Sequence, residues 1–182
     1  MKKISTYFEK DPTDLGRVIN QVNPENAWVS DEGVVATVKF DGTSCAIING
    51  QLYKRYDAKR GKTAPEGAIP CQEPDSVTGH HPHWVLCNRE NPGDKYHFEA
   101  FDKEDGILDG TYELCGPKIQ GNPEKFPDHF LVRHGAQVLL LESLEFDYIR
   151  EVLEAEDIEG IVFHHPHGMM CKIRKTDFGI KR

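Results

Sequence analysis

The dipeptide Asn49-Gly50 constrains this chain more tightly than any other feature. It joins two short runs, Ser44 to Ile48 and Gln51 to Tyr56, across a two-residue gap. Asn-Gly tolerates the positive φ angles of a tight β-turn, so the two runs read as an antiparallel hairpin. Upstream, Val34-Val35-Ala36-Thr37-Val38 is β-branched and reads as a strand running into Lys39. Tyr96 to Phe101, Thr111 to Cys115, Phe130 to Val132 and Gln137 to Leu141 are further strand candidates, and Gly160 to His164 and Met169 to Ile173 are the last two. One helix is expected, with Ser143 as N-cap and Phe146, Ile149 and Leu153 at i, i+3 and i+7. The whole predicts an α+β fold built on antiparallel sheet with few helices.

At 182 residues the chain fits a single domain, 1–182, with a core large enough to need no staples. Residues 58–94 are rich in Pro, Gly, His and charge and read as a long ligand-facing loop or lid. Two lysines follow Met1 but no apolar run follows them, so neither a secretory leader nor a membrane span is expected. The five cysteines form no Cys-x-x-Cys, which predicts reduced thiols in a cytoplasmic protein.

The net charge of −8 argues against a protein that simply coats nucleic acid. It is unevenly spread: Lys54 to Lys62 and Lys172 to Arg182 each carry five basic residues and one acid. Glu142 to Glu159 carries eight acids and one base. Two basic tracts on an acidic body suit a phosphate-rich ligand held at one place, or are two solvated edges.

Lys39-Phe40-Asp41-Gly42 follows the Val34–Val38 strand. A lysine at a strand end can project into a cleft where desolvation or neighbouring cations favour the neutral, nucleophilic amine. The glycine permits a sharp turn and a close approach to a ligand. Downstream, Glu113 lies mid-strand before Gly116-Pro117, Glu159 heads an apolar strand, and Lys172 and Arg174 share one face of the last strand. A nucleoside triphosphate site needs these parts: cations for the α-phosphate, carboxylates for metal and ribose, and an in-line nucleophile.

Together these segments resemble the covalent nucleotidyltransferase superfamily of ATP-dependent ligases and mRNA capping enzymes. Lys39 to Gly42 resembles its motif I, Glu113 its motif III, Glu159-Gly160-Ile161-Val162 its motif IV and Lys172-Ile173-Arg174 its motif V. Arg174 departs from the usual Lys-x-Lys. Within the superfamily, residues 30 to 180 are most similar to the 5′–3′ RNA ligase 1 family, through Leu52 to Asp57, Gly121-Asn122-Pro123, His134-Gly135-Ala136 and Ile158 to Val162. The resemblance implies a nucleotidyltransferase (ATP-grasp-like ligase) domain, with no C-terminal OB domain expected. It implies ATP with Mg²⁺ or Mn²⁺ as cofactors, and as substrate RNA with 5′-phosphate and 3′-hydroxyl ends.

Roles follow from the resemblance. Lys39, Asp41 and Lys172 are the catalytic set, with Lys39 adenylated. Arg55, Glu113, His134, Glu159, Lys172 and Arg174 join Lys39 in binding the nucleotide, His134 by stacking on the base. Glu113 and Glu159 hold metal. A DNA ligase, a GTP-using capping-type enzyme and a non-catalytic nucleotide-binding module are the alternatives.

Three other signals carry less. Gly61-Lys62-Thr63 ends like a P-loop, but residue 56 is Tyr where that loop needs glycine. Asp177-Phe178-Gly179 matches a kinase triplet by coincidence. Cys71, His80, His81, His83 and Cys87 offer zinc donors at no standard spacing, and His80 and Trp84 suit contact with single-stranded RNA.

Overall fold

The alternation of apolar and polar residues resolves into three sheets in the computed structural model, which describes residues 4–75 and 78–182. In chain order the strands are β1 (Ser5–Thr6), β2 (Phe8–Lys10), β3 (Val18–Val22), β4 (Val35–Lys39), β5 (Thr43–Ile48) and β6 (Gln51–Ala58). They continue with β7 (Ile69–Pro70), β8 (His81–Leu86), β9 (Gly110–Cys115), β10 (Phe130–Arg133), β11 (Gly160–His164) and β12 (Met170–Arg174). The α-helices are α1 (Lys95–Phe101) and α2 (Phe146–Ala155). The expected α+β class holds. No helix among the described residues is long and apolar enough to cross a membrane.

Two compact units divide the chain, one formed by 4–40 with 135–182 and the other by 41–134. In the first, the sheet runs β1-β12-β11-β4, antiparallel except for the parallel pairing of β1 with β12. Period-two alternation sends Ile161, Phe163, Cys171 and Ile173 to one face, all at most 1% exposed. There they pack with Phe8, Val29 and the fully buried Ile149 and Leu153 of α2. Each such side chain contributes about 1.5–3 kcal/mol by leaving water.

The 41–134 unit is built on the order β10-β9-β5-β6-β8-β7, every pairing antiparallel. The β5–β6 hairpin turns at Asn49 and Gly50, with φ of 51° and 71°. Asp109 accepts both turn N–H groups, at 2.7 and 3.0 Å. Cys45, Ile47, Leu52, Tyr112, Leu114 and Leu131 form this unit's core, and α1 covers it with Ala100.

Several local expectations are corrected. Tyr96 to Phe101 is helix α1, not a strand. Asn91-Pro92-Gly93-Asp94 launches it: the Asn91 side chain accepts from Gly93 N–H at 3.0 Å and Pro92 opens a 3-10 turn. Gln137 to Leu141 makes only an isolated bridge, Thr37 to Val138, and leaves Leu140 89% exposed. The N-cap of α2 is Glu145, while Ser143 accepts the Glu145 N–H one turn outside the helix. Within 58–94, β8 pairs along β6 from Leu86 to His81, and its His-Pro-His start disguised the strand.

Candidate functional site

The first unit gathers four of the expected site residues on the sheet face opposite its core. Across β4, β11 and β12, Lys39 pairs with Gly160 and Gly160 with Arg174, so these three positions form one row. Two residues along, and so on the same face, the row is Thr37, Val162 and Lys172. Residues directly opposite in a ladder share a face, so the periodicity that buries Ile161 and Ile173 turns Lys39, Lys172 and Arg174 the other way. Gly160 is required at this crossing: an added Cβ would lie 2.3 Å from the Ile173 carbonyl oxygen and 2.9 Å from Arg174 Cα.

Glu159, just before β11, receives the Lys39 ammonium in a direct ion pair. The two side chains are 23% and 18% exposed, so water screens the pair only partly. Burial first, then the charges of Arg174 and Lys39, push the Lys172 ammonium down to about 8, against the opposing pull of Glu159 and Asp177. Three cations crowded on one face make a site that gains from an incoming phosphate.

Arg174 is held from behind. The fully buried Asp177 accepts its backbone N–H at 2.9 Å, Nε at 3.3 Å and Nη2 at 3.1 Å. Lys10 donates to the same carboxylate at 2.7 Å. Burial alone would raise the Asp177 carboxyl, but hydrogen bonds from Arg174 and Lys10 outweigh it and hold the group below its ordinary value.

Of the remaining expected residues, Asp41, Arg55, Glu113 and His134 belong to the 41–134 unit. Glu113 lies mid-strand in β9, opposite Ser44 and Val132. Its Oε2 is 2.9 Å from His134 Nε2, and His134 Nδ1 is 2.9 Å from Thr111 Oγ1. Both ring nitrogens are engaged, which fixes the ring plane. Arg55 Nε donates to Asp57 at 2.9 Å, and its guanidinium stands 5.7 Å from the centre of the Trp84 ring. The Asp41 N–H donates to Glu124 Oε1 at 2.8 Å. Gly42 meets its own sheet rather than open space: a Cβ there would lie 2.2 Å from the Leu114 carbonyl oxygen.

Sequence reasoning missed Asp177 and Lys10 as supports of Arg174, and Ser44 beside Glu113. Asp177 was passed over inside its Asp-Phe-Gly coincidence, although its spacing of three from Arg174 suits a tight turn. The Ser44 hydroxyl is buried without a hydrogen-bond partner among the described residues. Nor do the loop thiols and imidazoles assemble as a set. The candidate metal-binding group among the described residues is Cys87, Asp94 and His97, which takes only Cys87 from that stretch of donors.

Comparison with known proteins gives the chain its relatives. A family model described as RNA ligase 1 matches residues 85–182, which include Glu113, His134, Glu159, Lys172 and Arg174. RNA ligase 1 of Rattus norvegicus is 29% identical over 220 aligned residues, covering 80% of this chain and 67% of the rat protein. The Mus musculus protein of the same name matches to the same extent. RNA ligase 1 of Danio rerio is 35% identical over 85 residues, or 41% of this chain and 26% of its own length. With the family model spanning more than half its length, the chain belongs to the RNA ligase 1 family.

Proposed function

We propose that this protein is an ATP-dependent RNA ligase that carries AMP on Lys39. The observation that supports this best is the shared sheet face of Lys39, Lys172 and Arg174, with Glu159 paired to the lysine. Lys39 Nζ attacks the α-phosphorus of ATP, forming a P–N bond as the bond to pyrophosphate breaks. Glu159 aligns the lysine by accepting a hydrogen bond from its ammonium, whose proton leaves to solvent before the neutral amine attacks. Lys172 and Arg174 hold the phosphate oxygens as negative charge builds on them, where preorganised cations are worth most.

The surplus of positive charge on this face suits a polyphosphate, and carboxylates such as Glu159 and Glu113 suit a hard divalent ion. Mg²⁺ or Mn²⁺ would supply charge neutralisation on the phosphates. Glu113 and Arg55 are assigned to ribose or phosphate contact, and His134 to the base. Asp41 is assigned to ordering the turn after the nucleophile. The adenylate then passes to a 5′-phosphate of RNA, and a 3′-hydroxyl displaces AMP to form the phosphodiester.

The test is intact mass after incubation with ATP and Mg²⁺ or Mn²⁺, then with 5′-phosphorylated RNA. A gain of one AMP, absent in Lys39→Ala and discharged by RNA with strand joining, is expected. No gain from ATP by folded protein that is free of prior AMP overturns the reading, and a gain from GTP alone replaces ligase with capping-type transfer.

A further inference from the structure

On the core side of the six-stranded sheet, opposite the face carrying Glu113, the 41–134 unit holds polar groups that adenylyl transfer does not use. Cys87 follows β8, Asp94 precedes α1, and His97 lies in its first turn. They are 7%, 1% and 7% exposed. One ligand atom from each lies within 4.8 Å of the others. We propose that Cys87, Asp94 and His97 bind one borderline-soft divalent cation of the zinc type.

The second observation is His97 itself. Both its ring nitrogens are buried and neither has a hydrogen-bond partner among the described residues. A buried polar nitrogen left unpaired costs about 1–3 kcal/mol, so an imidazole with two such atoms asks for a ligand.

The donor chemistry selects the ion. Thiolate, imidazole and carboxylate together favour zinc, whereas Mg²⁺ prefers oxygen ligands and retained water. Asp94 is already oriented: Lys54 pairs with one carboxylate oxygen, and the Asn88 N–H donates to the other at 2.9 Å. The Asn91 side-chain amide also donates to that second oxygen, at 3.4 Å, so the oxygen paired with Lys54 is the one that keeps a lone pair for the cation. Lys54 then balances part of the negative charge of thiolate and carboxylate. Binding replaces the Cys87 thiol proton, which leaves to solvent, by an S–metal bond. The spacing is built for closure, since Asp94 and His97 are three residues apart at the start of a helix and share a face. The ion would tie the end of β8 to α1.

Full-length protein, stripped with chelator and dialysed, would be titrated with Co²⁺ and Cd²⁺. The expected result is a thiolate-to-metal charge-transfer band that saturates at one equivalent. It should persist in Cys71→Ser and Lys39→Ala and disappear in Cys87→Ser, His97→Gln and Asp94→Asn. X-ray absorption of the zinc-loaded wild type should show one sulfur neighbour, which needs no variant to fold. Absence of the band in folded wild type, its survival in folded Cys87→Ser, or two sulfur neighbours overturns the site. In the first case a buried water at His97 takes its place.

Discussion

The Glu159 carboxylate receives the Lys39 ammonium directly, from the residue before Gly160 on the strand that pairs with β4. In the proposed reaction the pair orients the nucleophile and compensates its charge before ATP arrives. Glu159→Gln should keep the register and lose the charge. Adenylation by this variant should slow by about 10²-fold or more, as for loss of a preorganised charged partner. The check is single-turnover formation of the AMP adduct, and a rate within twofold of wild type would remove Glu159 from the proposed role.

Lys172 sets a pH limit. Its folded value of about 8 lies below the ordinary 10.5, so between those values the unfolded chain binds more protons and stability rises with pH. The penalty of burying this charge is therefore fully present below pH 8. Lys172→Met should flatten that rise in urea melts. In nucleotide binding the sign reverses, because the phosphates need the charged form. ATP affinity should weaken above pH 8 by up to about tenfold per pH unit, measured by calorimetry, and the trend should vanish in Lys172→Met.

Asp177→Asn leaves Arg174 and Lys10 without their shared carboxylate. Both cations are partly solvated, so the expected loss is about 1–3 kcal/mol, read from chemical denaturation at neutral pH. In the wild type this contribution is present above the ordinary carboxyl value of 3.8 and lost as pH falls through the lower folded value. The difference between wild type and Asp177→Asn should shrink accordingly in acid. Substitution should also raise the KM for ATP, since Arg174 is freed to wander.

The two glycines at close crossings predict steric losses of different kinds. Gly160→Ala sets a methyl 2.3 Å from the Ile173 carbonyl oxygen, between the strands of Lys39 and Arg174. Gly42→Ala sets one 2.2 Å from the Leu114 carbonyl oxygen in the 41–134 unit. Each should destabilise by about 1–3 kcal/mol or more in thermal melts. Gly160→Ala should additionally depress adenylation at temperatures where the protein remains folded, because relief of the clash shifts the row that holds the nucleophile.

Much of the fold was legible where period two was clean. Gly160 to His164 was read to its limits, and the Asn49-Gly50 turn announced its hairpin. Tyr96 to Phe101 failed because alternating aromatics imitate a strand, while the deciding signal, the Asn91-Pro92 start, lay upstream. The short strands β1 to β3 were not anticipated: at two to five residues each they carry too little periodicity to read, and β1 owes its form to β12, far along the chain, while β2 and β3 pair with each other. At the candidate site, residue types and order singled out Lys39, Glu159, Lys172 and Arg174, which the fold brings together. The bonds between Asp177 and Arg174, and between His134 and Glu113, depend on rotamers and could not be read from spacing.

The pairing of β4 with β11 also has a meaning during translation. Lys39 leaves the ribosome before its partner Glu159, which lies 120 residues further along. At ordinary elongation rates that is a wait of roughly 10 s, through which the 41–134 segment has time to fold alone. An incomplete nascent chain therefore has the lysine without the strands that orient it until β11 and β12 have followed.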